Sequence, residues 1–184
     1  MRRKKESISL EEFALILVDL KFENDLLIRQ FNGLSEGIEA RDDKPSNTRF
    51  LEYLVFDLFT DHACFLLAFS RELTSMLFET YFVNILVRLI GKGYKVDVKE
   101  LMVLFNERAT KYHQYLQEFD PEYIKKIDIN KYPHGLGKAF SMNFAGYEHP
   151  VILFQADHMF VSKLRYIVGY LKDVAKKYEI ALPK

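Results

Sequence analysis

Four polar residues stand where helical periodicity calls for apolar ones: Asn24, His62, Thr80 and Asp157. A buried polar group costs roughly 1–3 kcal/mol unless it finds a partner, so each must be paired or face a cavity. If the first two helices run antiparallel, Asn24 falls near the level of His62, and a returning last helix can bring Asp157 to them. An aspartate accepting a hydrogen bond from His62 would hold the imidazole in one tautomer. The alternative is a structural polar layer that fixes the register of the helices. Asp57, Asp61, His62, Asp157 and His158 are also suitable metal ligands. Di-iron bundles need Glu-x-x-His pairs, and neither Glu107 nor Glu148 has a His three residues on. No metal or other cofactor is therefore expected, although a small ligand or metal in the bundle core stays a second alternative.

A separate group lies in Arg108-Ala-Thr-Lys-Tyr-His113-Gln-Tyr115. The Arg-x4-His-x-Tyr pattern of Arg108, His113 and Tyr115 resembles the hallmark of HEPN domains. A long apolar helix closed by Gly91-Lys-Gly93, followed by a capped helix, is similar to the surrounding layout of that family. The resemblance implies an all-α dimeric fold and metal-independent RNA cleavage. His113 would then act as general acid or base toward the 2′-hydroxyl and leaving group, and Arg108 would stabilise the phosphorane charge. Residues five apart on one regular helix point about 140° from each other. A joint site therefore calls for a distorted helix or a dimer mate. The plain alternative is a solvated helix face that carries an Arg and a His.

Composition narrows the setting. The chain has 184 residues, suited to one domain over 1–184, with 49% hydrophobic and 28% charged residues. Its 26 basic and 26 acidic residues cancel, which argues against a DNA binder. Sixteen Phe and 11 Tyr supply large core side chains or an oligomer interface. Cys64, the only cysteine, sits in an apolar run and reads as a core residue in a reducing compartment. The basic start leads into a charged, capped segment instead of an apolar run, so no signal peptide is expected. Apolar stretches are interrupted by charge, so no membrane span is expected. A cytoplasmic location follows as the expectation.

The elements that must position these residues are helical. A first helix begins at the capping box Ser9–Glu12 and carries Phe13, Leu17, Leu20, Asn24, Leu27, Phe31, Leu34 and Ile38 on one seam. The second, roughly Thr48 to Ile90, keeps one unbroken seam from Val55 through His62, Leu73, Met76, Thr80, Val83 and Val87 to Ile90. That spacing predicts a single helix of about 43 residues, about 65 Å long. A third helix starts at Asp97, and a fourth follows Pro150. Residues 128–149, rich in Gly and aromatics, read as a long connection, and no strand is expected. The whole predicts an all-α bundle of four main helices with one very long second helix. The function expected first is association as a homodimer, because the second helix outruns its neighbours. A HEPN-like ribonuclease or its inactive relative, with RNA as partner, is the alternative.

Overall fold

The computed structural model describes residues 5–36, 38, 46–117 and 134–182. The chain divides into two compact units. One comprises Met1–Leu27, Asp61–Val96 and Lys163–Lys184; the other comprises Ile28–Thr60 and Asp97–Ser162. Both are predominantly helical, as expected.

The first unit opens with strand β1 (Glu6–Ser9) and helix α1 (Leu10–Phe22). Ser9 and Glu12 form the predicted capping box, each side chain accepting from the other's backbone N–H at 3.1 Å. Leu10, Phe13, Ala14, Leu17 and Val18 follow the helical period and are buried. The predicted first helix breaks after Phe22. Asn24 (φ 51°) and Asp25 (φ 54°) take the left-handed conformation in a short 3₁₀ turn, Glu23–Asp25, before helix α2 (Leu26–Glu36). Asn and Asp tolerate that conformation better than other non-glycine residues.

The predicted long second helix is two helices, α3 (Ser46–Ala68) and α4 (Arg71–Gly91). Ser70 stands between them as an extended N-cap (φ −65°, ψ 158°), its side chain accepting from the Leu73 N–H. The heptad spacing runs through this break undisturbed because a cap interrupts the backbone without inserting a residue into the apolar count. Every residue from Phe50 to Asp61 on α3 is buried. On α4 the buried row is Thr74, Leu77, Tyr81, Ile85, Leu86 and Leu89, and α4 packs on α1. The predicted seam lies on another face: Val83 (53%), Val87 (64%) and Ile90 (52%) are exposed, while Leu73, Met76 and Thr80 are half-buried. Among the described helices α4 alone is long and apolar enough to cross a membrane by length and composition.

Two strands correct the expectation of none. β1 pairs in parallel with β2 (Tyr178–Ala181), Glu6 facing Tyr178 and Ser9 facing Ala181. Four-residue segments at opposite ends of the chain leave almost no periodic signal.

In the second unit, α5 (Val98–Gln117) starts where predicted, with Asp97 Oδ1 accepting from the Lys99 and Glu100 N–H groups at 2.8 and 3.0 Å. Residues 128–149 are not all connection: helix α6 (His134–Ala145) buries Leu136, Phe140 and Phe144 on one face. Helix α7 (Pro150–Lys177) follows, with proline in its first turn and residues up to Ser162 belonging to this unit. Phe31, Phe50, Tyr53, Phe56, Phe140 and Phe144 form an aromatic core, with Phe140 stacked on Phe144 at 5.1 Å.

Candidate functional site

The Arg108–His113–Tyr115 group lies in the second unit, on α5. Arg108 holds the Glu52 carboxylate in a bidentate grip, Nη2 to Oε1 at 2.7 Å and Nε to Oε2 at 3.0 Å. Glu52 is almost fully buried, at 5% side-chain exposure, and Arg108 at 17%. Hydrogen bonding to Glu52 raises the guanidinium's already high pKa. His113 sets its ring edge-on to Phe59, centroids 5.2 Å apart. Partial burial lowers the imidazole pKa, so the ring is neutral near pH 7. Glu52 and Phe59 are seven residues apart on α3, so Arg108 and His113 meet one face of that helix about two turns apart. Tyr115 covers the start of α6, where a Cβ on Gly135 would come within 2.5 Å of its ring.

Tyr112, one turn on from Arg108, is fully buried between Phe56 and Phe59, and Asn143 Nδ2 donates to its hydroxyl at 3.2 Å. Burial pushes the phenol pKa well up, so Tyr112 stays protonated. Glu52, Tyr112 and Asn143 are the members of this cluster that sequence spacing misses as a site. Glu52 alone carried a signal, a carboxylate inside an apolar helix.

The predicted polar cluster of Asn24, His62 and Asp157 takes a different form. Asn24 is exposed in the 3₁₀ turn, not buried, because the seam that places it inside ends at Phe22. His62 is half-buried, with its ring 4.8 Å from that of Phe78. Both belong to the first unit. Asp157, in the second, is buried as expected, and its Oδ1 accepts from the Gly137 N–H at 2.8 Å, capping the first turn of α6 from another helix. Gly137 permits this approach, since a Cβ there would meet Asp157 Oδ1 and the Leu153 carbonyl at 2.5 Å.

The candidate metal ligands do not gather. Asp61, in the first unit, instead accepts from Lys21 Nζ, from Tyr81 Oη at 2.8 Å and from Lys163 Nζ at 3.0 Å. Burial on its own would raise this carboxyl's pKa, but Lys163 and Lys21 outweigh it and bring it down to about 2. Asp61 is thus ionised at neutral pH and joins α1, α3, α4 and α7. His158 is exposed and stacks on Phe154. Among the described residues no three His, Cys, Asp or Glu side chains form a metal-binding group. Cys64 is buried, as expected for a core thiol.

An open groove of about 470 Å³ in the first unit is lined mainly by Ile8, Phe13, Leu15, Ile16, Tyr170 and Val174. Its carboxylate, Glu12, is already committed to the Ser9 cap. The polar convergence that marks a specific small-molecule site is lacking there among the described residues.

No family model matches the chain, and neither does any curated protein or solved structure.

Proposed function

We propose that the protein works by association, as a homodimer in which α4 supplies most of the interface. The observation that carries this reading is the outer face of α4, where Val83, Val87 and Ile90 lie more than half exposed in line with Leu73 and Met76. Apolar side chains scattered singly on a surface need no explanation, but a contiguous row marks an interaction surface. The polar clusters support the same reading, because their charged groups already hold one another. Light scattering at micromolar concentration should give twice the chain mass of 21.7 kDa. Val83→Glu with Val87→Lys should return the protein to the single mass with its helical circular dichroism unchanged. A wild-type mass of one chain overturns the proposal.

A second reading follows the HEPN resemblance: metal-independent cleavage of RNA by His113 with Arg108. The half-buried, neutral imidazole of His113 favours it, since a base must be unprotonated to take a proton. Arg108 would have to exchange Glu52 for a phosphate, which ranks this reading second. Cleavage of single-stranded RNA in the presence of a chelator, abolished by His113→Ala, would establish it. No cleavage under those conditions would remove it.

A further inference from the structure

The outer row on α4, half-buried in its N-terminal half and exposed from Val83 onward, also has an order. Leu73, Met76, Thr80, Val83, Val87 and Ile90 are spaced three, four, three, four and three residues apart, a strict 3.5-residue repeat. The buried residues of the same helix, Thr74, Leu77, Tyr81, Ile85, Leu86 and Leu89, lie on another face and do not keep that repeat, since Ile85 and Leu86 are adjacent. Packing inside the protomer thus accounts for one face, and the other carries a pattern suited to a second helix laid along it. A sheet edge or a flat surface has no use for that repeat.

The spacing reads the same in both directions. A helix running antiparallel about a two-fold axis near Tyr81 and Phe82 would set Leu73 against the partner's Ile90, Met76 against Val87 and Thr80 against Val83. Each layer then pairs the two core positions of the heptad. Charge points the same way. Arg71, Glu72 and Glu79 lie in the N-terminal half, a small acidic excess, and Arg88 and Lys92 at the C-terminal end already hold Asp19 and Asp25. A parallel pair would set both N-terminal dipole ends, and both copies of this acidic excess, side by side; an antiparallel pair separates them and opposes the helix dipoles favourably.

We infer that the partner of this face is a second copy of the chain, docked antiparallel through α4 with Thr80 and Val83 at the two-fold centre. The inference rests on the association reading above and adds its geometry. Cysteine cross-linking in a Cys64→Ala background tests it. Leu73→Cys lies about 25 Å from its own copy in this arrangement, at 1.5 Å per residue over 17 residues, but beside Ile90→Cys of the partner. Two differently tagged variants, Leu73→Cys and Ile90→Cys, should form a disulfide with each other on mixing, and neither with itself. A dimer in which Leu73→Cys cross-links to itself overturns the antiparallel geometry and leaves the association reading intact. A dimer with no cross-link of either kind places the interface off this row and overturns the inference. A single-chain mass overturns both; if such a monomer also co-sediments with phosphatidylcholine vesicles, the row belongs to a lipid surface.

Discussion

Arg108 and Glu52 hold each other through two nitrogens and two oxygens inside the second unit, 56 residues apart in sequence. An ion pair with so little exposure contributes through mutual need more than through net energy, because either partner alone would be a buried unpaired charge. Glu52→Gln and Arg108→Ala should each cost about 3 kcal/mol or more. Replacing both, as Glu52→Leu with Arg108→Met, should recover most of that loss. Urea unfolding of the four proteins checks the cycle; equal losses in the single and double variants would refute it.

Asp61 makes a prediction about acid. Its carboxyl falls from 3.8 to about 2 in the folded protein, so between those values the unfolded chain binds more protons. The stabilisation is complete above about pH 5 and is lost as the pH falls through 2. Its size is about 2 kcal/mol. Asp61→Asn should therefore flatten the stability profile between pH 4 and 2. It should also destabilise the protein at pH 7, where Lys21 and Lys163 lose their shared carboxylate.

His113 should titrate below the ordinary imidazole value of 6.5. The sign follows from burial: the unfolded chain takes up the proton first, so this residue's contribution to stability declines as the pH drops below 6.5. A two-dimensional NMR titration of the ring resonances measures the midpoint, and a midpoint above 6.5 would contradict the placement beside Phe59.

At Gly137 a methyl group has nowhere to go. Gly137→Ala drives a Cβ into the Leu153 carbonyl, which cannot move without shifting α7, so a loss of about 1–3 kcal/mol is expected on thermal or urea unfolding. Asp157→Ala, which removes the cap but leaves the space, should cost about 1 kcal/mol. If Gly137→Ala is neutral, α6 does not pack on α7 in this way.

What could be read in advance divides by range. Ser9 with Glu12, Asp97 with Glu100, and Pro150 are local signals, and each marks a helix start as expected. Ser70 is an equally local cap, but the heptad count runs across it and hides it. The count also selects the wrong face of α4, because that helix is apolar on two sides: Leu77, Ile85 and Leu89 inward, Val83, Val87 and Ile90 outward. Periodicity finds apolar rows and does not say which one the protomer keeps. Gly135 and Gly137 read as loop, although they mark where a tyrosine ring and an aspartate come close to a helix. Of the site, spacing marks Arg108 and His113, but nothing local ties Glu52 to them, 56 residues away. Nor could Lys21 and Lys163 be matched to Asp61, since no spacing rule links partners so far apart.

The pairing of Glu6 with Tyr178 and of Lys163 with Asp61 dictates an order of events at the ribosome. The second unit has all its residues once Ser162 has left the exit tunnel, whereas the first still awaits Lys163 and the strand at Tyr178–Ala181. Until then β1 has no neighbour, and Asp61 lacks one of its two lysines. Strand β1 is thus made well before the segment that satisfies it. Closing so long a span slows folding more than it weakens the product, since loop entropy grows only with the logarithm of length.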